Sequence, residues 1–178
     1  MCTGSQVADF GRDVLTRIQF GMALSSLVFG AFLGVITPAS AQDANFGKNV
    51  WLNQANCADC HGSMGNGQAN DPRSPQGANL RETGLDEDAL VEIILCGIPG
   101  TAMPHFDHKG YTDDRCYGQT RADLGDATPP KSAMPLTKRH ATGLARFILA
   151  EFANKGEPTA EQCRALLGSD SPRCSNYP

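Results

Sequence analysis

The chain has 178 residues, seven of them cysteine, and a formal net charge of -4. With 19 acidic residues against 15 basic ones there is no surplus of positive charge to hold a phosphate backbone, which excludes a general nucleic-acid binder. The length suits a leader followed by one domain.

Residues 1–41 read as a secretory signal peptide. Arg12 and Arg17 precede an apolar stretch from about Ile18 to Ile36, and Pro38-Ala39-Ser40-Ala41 supplies an A-x-A cleavage site. An uncleaved anchor is the competing reading, because the run approaches bilayer-spanning length; Gly21, Ser25, Ser26, Gly30 and Gly34 dilute it. Cleavage after Ala41 removes 41 of 178 residues and leaves 137, the size of one domain, without stable membrane insertion. A signal of this kind places the mature chain in the periplasm.

Export also decides how the cysteines are counted. Cys2 leaves with the signal; Cys57 and Cys60 belong to a motif described below, and Cys96, Cys116, Cys163 and Cys174 remain. An even number in an oxidising compartment points to two disulfides. Four cysteines allow three pairings, and the competing reading is free buried thiols. Cys163 and Cys174 are close in sequence, so pairing them staples the C-terminal tail and leaves Cys96 to join Cys116.

In chain order, the first mature helix is expected from about Ala44 to Gln54, with Phe46, Gly47, Val50 and Trp51 at helical spacing. Gly47 has no side chain, which allows another helix to cross closely there. Next comes Cys57-Ala58-Asp59-Cys60-His61. C-x-x-C-H is the attachment signal for c-type haem: two thiols add to the vinyl groups and the adjacent histidine ligates the iron. A zinc knuckle would need a second Cys/His pair, and a thioredoxin-like dithiol a βαβ pattern. Neither is visible. Residues 63–84, rich in Gly, Asn, Pro and Asp, read as loop. A short helix follows from Asp86 to about Cys96, with Asp86, Glu87 and Asp88 at the positive end of its dipole and Leu90, Ile93 and Ile94 on its buried side. The last helix is expected over about Thr137–Asn154, where Leu144, Phe147, Ile148 and Phe152 form an apolar stripe. His140, near its start, reads as a solvated position.

Taken together, the helix before Cys57-Ala-Asp-Cys60-His61-Gly62, the glycine turn Gly62–Gly67, the middle helix, Gly97-Ile-Pro-Gly-Thr-Ala-Met103-Pro104 and the last helix resemble the class I c-type cytochrome family. The resemblance implies an all-α cytochrome c fold of three to five helices around one covalently bound haem c. It divides the chain into residues 1–41 as signal, 42–154 as the cytochrome c domain and 155–178 as a disulfide-pinned tail. It also implies that the terminal helices cross near the haem edge. In the family a proline carbonyl accepts from the ligand histidine's other ring N–H; Pro72 and Pro75 are the candidates. The family often has proline just before Asn-Leu, where this chain has Ala78 before Asn79-Leu80.

Met103, in its G-x-P-G-T-x-M-P context, is the favoured sixth ligand, so the cofactor-binding set is Cys57, Cys60, His61 and Met103, with His61 and Met103 on the iron. Met134, also followed by proline, and His105 or His108 are the alternatives, whereas Met64 is too close to the attachment turn. If Met103 is the ligand, residues 106–135 are an ordered insertion before the last helix, either covering the haem edge as a partner-docking rim or acting as a structural flap. The function implied is one-electron transfer by a monomeric periplasmic carrier, without catalysis of its own. The long insertion and pinned tail look similar to cytochromes that take electrons from quinoprotein (PQQ-dependent) alcohol or methanol dehydrogenases and pass them toward a terminal oxidase. Two other classes compete: a haem subunit of a larger complex (sulfur oxidation or terminal oxidase), and a haem protein that binds a small molecule.

Overall fold

A computed structural model describes residues 45–178, which lie in one unit of the chain, Thr37–Pro178. The signal peptide and the anchor alternative lie outside the described residues. Within them the chain forms helices and turns, with two isolated bridges and no strand. No described helix is long and apolar enough to cross a membrane.

Helix α1 is α-helical over residues 45–49 and π-helical over Val50–Gln54, closing with Ala55 N–H on the Val50 carbonyl at 2.9 Å. This widened turn, a local form common next to functional sites, buries both Val50 and Trp51 as the chain reaches the cysteine motif. Helix α2 is the single turn Ala58–His61. Helix α3, Glu87–Cys96, starts where the Asp86 carboxylate accepts from Ala89 N–H and stops at Gly97, whose φ is +67°. Helix α5, Lys138–Glu151, begins in a reciprocal cap in which Thr137 accepts from His140 N–H and the His140 ring accepts from Thr137. His140 also stacks on Phe46, with ring centroids 5.4 Å apart, so it is a helix-start device rather than a free surface imidazole. The other two helices lie where no helix was expected: α4, Arg121–Leu124, in the insertion, and α6, Ala160–Leu167, in the tail. Thr120 with Asp123 and Thr159 with Gln162 cap them, so each short segment closes its own first turn.

The expected crossing of the terminal helices is present, and it uses two glycines. A Cβ on Gly47 would sit 2.2 Å from the Gly143 carbonyl oxygen, and one on Gly143 would sit 2.6 Å from the Phe46 ring. At Gly47 the neighbour is backbone, so only glycine fits there, while a side chain at Gly143 would have to displace the Phe46 ring. Below the crossing, Trp51, Leu144, Phe147 and Phe152 are buried together, with the Trp51 and Phe152 rings 5.0 Å apart.

The tail packs into the same core through Cys163, Leu166 and Cys174, and the structure pairs Cys163 with Cys174. Arg81, 2% exposed, ties it down: its guanidinium donates to the carbonyls of Met64, Lys155 and Gly156 and to the Gln162 side chain. The insertion is tied as firmly. Cys116 is paired with Cys96, and the hydroxyls of Tyr111 and Tyr117 donate to the Cys96 and Gly97 carbonyls at 2.8 and 2.7 Å. Those two carbonyls lie at the open end of α3, and the tyrosines satisfy them.

Candidate haem site

A cavity of about 560 Å³ opens between α2, α3, α5 and two loops, residues 75–80 and 98–106. Its walls are largely apolar: Trp51, Leu80, Ile94, Leu144 and Ile148 all face it. No Asp, Glu, Lys or Arg is among its lining side chains. A planar apolar macrocycle is the kind of group such a space suits.

Cys57 caps α2 and Cys60 lies within it, so one helical turn brings both sulfurs to the same wall. These are the free cysteines among the described residues. Burial pushes the Cys57 thiol up to about 12, so it stays neutral, unlike the low-pKa thiolate of a redox dithiol. After His61 the chain turns away through Gly62 at φ +79°, a position that favours glycine.

His61 lines the cavity with its Nδ1 2.9 Å from the Ala78 carbonyl oxygen. A carbonyl can only accept, which assigns the proton to Nδ1 and leaves Nε2 with a free lone pair. Burial lowers the imidazole pKa and the Ala78 carbonyl opposes that, so the ring is neutral at pH 7. Gly77 completes the cradle: a Cβ there would lie 2.5 Å from His61 Nδ1. Neither Pro72 nor Pro75 supplies the carbonyl, which corrects that expectation. Every residue carries a backbone carbonyl, so the absence of proline before Asn79 costs this contact nothing.

Opposite in the sequence, Met103 is half-buried and lines the cavity. Its loop is tight: Met103 N–H donates to Thr101 Oγ1 at 3.1 Å, and a Cβ on Gly97 would lie 2.6 Å from the Met103 carbonyl oxygen. Met134 is 50% exposed and does not line the cavity. Neither does His105, although it is buried; its Nδ1 donates to the Asp107 carbonyl and its ring meets Tyr111 edge-on. In an extended segment alternate side chains face opposite ways, so Pro104 and Phe106 line the cavity while His105 does not. Met64 is buried in the core away from it.

The insertion contributes only Phe106 to the lining. Its remainder packs behind the Met103 loop: Gly100 N–H donates to Ala127, His105 N–H to Pro130, and Leu136 N–H to Phe106. Gly77, Ala78, Arg81 and Gly143 escaped the reading of the sequence. Only Ala78 had a signal there, as the departure before Asn79.

The free thiol pair, the neutral imidazole and the apolar walls fit a covalently held haem c. Residues 42–120 match the family model described as cytochrome c oxidase, cbb3-type, subunit III. No curated protein and no solved structure matches the chain. Haem-based electron transfer is the activity such a domain supports. Over residues 42–120 the chain is thus similar to cbb3-type cytochrome c proteins, a class I-like c-type cytochrome domain that implies covalently bound haem c.

Proposed function

We propose that this protein is an exported single-haem electron carrier in which Cys57 and Cys60 would form the thioethers and His61 and Met103 would hold the iron. The observation that carries this reading is that, of the methionines and histidines weighed as partners for His61, only Met103 lines the cavity. The haem supplies a ferric/ferrous couple that takes up and gives back one electron. His61 donates its Nδ1 proton to Ala78, which fixes the ring plane and raises the basicity of Nε2. The Met103 thioether would favour the ferrous form, and with His61 and Met103 both holding the iron no site would be left for substrate. The apolar walls keep water from the metal.

Electrons enter and leave through the haem edge in transient complexes with redox proteins, a quinoprotein dehydrogenase on one side and a terminal oxidase on the other. The family description favours a second reading, in which the chain is a fixed haem subunit of a terminal oxidase. Gel filtration of the purified protein separates these: a 137-residue monomer supports the carrier, and co-purification with oxidase subunits supports the subunit.

The ligand assignment is tested by visible spectra of the ferric protein beside Met103→Ala and Met134→Ala. The weak red iron–thioether band is expected in wild type and Met134→Ala and is lost in Met103→Ala. Its survival in Met103→Ala overturns the assignment.

A further inference from the structure

We propose that Arg81 is a potential-setting residue: a buried positive charge, held by the C-terminal tail behind the histidine wall of the cavity, that favours the reduced state of the site. The inference rests on the carrier reading above. Arg81 is 2% exposed. Leu80 before it lines the cavity, and Arg81 N–H donates to the side chain of Asn79, which lines it too. The guanidinium reaches the Met64 carbonyl at 3.2 Å, shortly after His61 in the chain. Its other acceptors belong to the tail: the Lys155 and Gly156 carbonyls and, at 2.9 Å, Gln162 Oε1. Every one of these acceptors is uncharged. They satisfy the donors of a group that keeps its proton in proteins, and they leave its unit charge in place. Glu157, which is exposed, is the carboxylate whose field reaches Arg81, and burial outweighs it.

Bracing alone does not require this choice. Residue 162 is also the third position of the α6 cap, which glutamate fills as well as glutamine. A glutamate there would hold the same guanidinium and cancel its charge, and a buried cation without a counter-charge is otherwise a burden on the fold. The chain has Gln162 instead. The charge so left acts on the electron. Uptake of one electron lowers the charge of the site by one, so a cation nearby favours it. No charged residue lies from Gly62 to Asn70 or from Ser74 to Leu80 to offset it along this wall. Through an effective dielectric of about 20, a unit charge acting over roughly a nanometre shifts such an equilibrium about tenfold. Arg173, which donates to Ser63 Oγ, adds a second cation here, but it is exposed and screened by salt.

The experiment is a potentiometric titration of the purified haem protein and its variants, followed in the visible spectrum. Gln162→Glu is expected to lower the ferrous-to-ferric ratio at a fixed ambient potential about tenfold, or ~59 mV for one electron. Its red band should be unchanged and its denaturant midpoint no lower than that of wild type. Glu157→Gln removes the opposing carboxylate and should move the ratio the other way. Arg164→Gln makes the same change in net charge as Gln162→Glu, from an exposed position on the same helix, and should leave the ratio within about twofold of wild type. Arg81→Lys and Arg81→Met both lose the guanidinium fork and some stability, but only the methionine variant should lower the potential. A Gln162→Glu potential no lower than that of Arg164→Gln overturns the proposal and leaves Arg81 as a brace alone. A wild type with no reversible one-electron couple overturns the carrier reading itself.

Discussion

The two walls of the haem cavity are braced in different ways. On the histidine side the functional residues fall within one short stretch, Cys57 to Asn79, and a helical turn with its return loop sets their geometry. The bracing comes from the far end of the chain, through Arg81 on the Lys155 and Gly156 carbonyls and Arg173 on Ser63 Oγ. On the methionine side, Met103 sits on a short loop that follows the end of α3 and is closed by Met103 N–H on Thr101 Oγ1. Residues 106–135 are folded back behind that loop, through Cys96–Cys116, two tyrosine hydroxyls and backbone bonds to Ala127 and Pro130. Each wall leans on a disulfide-bearing segment that barely enters the cavity. An attachment motif can be local because it is covalent; the thioether ligand proposed for Met103 would be a weak bond, and its loop needs a scaffold.

The comparison breaks first at Arg81. Its replacement by methionine leaves three backbone carbonyls without their buried donor on the histidine side, so a loss of about 3–5 kcal/mol is expected in denaturant unfolding. The red band should persist in the folded fraction, because the Met103 loop does not touch this residue's network. A loss below about 1 kcal/mol would show that the tail is not bracing this wall.

The two disulfides sharpen the contrast. Closing sequence separations of 20 and 11 residues gives each bond roughly 3 kcal/mol in the chain-entropy picture, so Cys96→Ala/Cys116→Ala and Cys163→Ala/Cys174→Ala should lose similar stability. Their optical behaviour should differ. During a denaturant titration the first pair loses the iron–thioether band before global unfolding, while the second loses band and helix together. If both pairs behave alike, the insertion does not hold the methionine loop.

How much of this was legible in the sequence follows the same division. Cys57, Cys60 and His61 could be read directly, because a covalent attachment imposes fixed spacing on adjacent residues. Helices α3 and α5 were legible from Asp86, Thr137 and their apolar stripes, since capping and periodicity are local properties. Gly47 hinted at a helix crossing, but its counterpart Gly143 was not picked out, because a glycine inside a helix says nothing of which partner approaches. The Ala78 carbonyl was misassigned to proline for a related reason: a backbone acceptor has no side-chain signature. Helix α6 was missed because an eight-residue segment after many turn formers is stabilised by tertiary contacts, of Cys163 and Leu166 with the core, rather than by its own propensity. Arg81 was silent, since nothing local marks an arginine most of whose acceptors lie more than 70 residues ahead.

A smaller effect tests the cradle around His61. Gly77→Ala places a methyl 2.5 Å from Nδ1, and the ring or the loop must shift to accept it. Overpacking of this kind costs about 1–3 kcal/mol. Because the displaced ring is the proposed iron ligand, the Soret and red bands should shift as well, whereas Gly84→Ala, whose Cβ meets nothing within 4 Å, should shift neither.

The smallest expected effect lies on the outer face of the insertion. Arg115 donates to both oxygens of Asp113 and holds that carboxyl down at about 2, against an ordinary value of 3.8. A depressed carboxyl contributes stability that is present above its unfolded pKa and is lost as pH falls through the folded one, here between about 4 and 2. The pair is open to solvent and screened by salt, so its contribution at neutral pH is slight. Asp113→Asn should therefore melt marginally below wild type at pH 6 in low salt, with the difference gone at pH 2. The red band should be the same in both proteins at pH 6, because Cys96–Cys116 and the tyrosine hydroxyls, rather than this ion pair, tie the insertion to the loop. A variant that loses the band at pH 6 would move the bracing of the methionine wall from those buried contacts out to the surface.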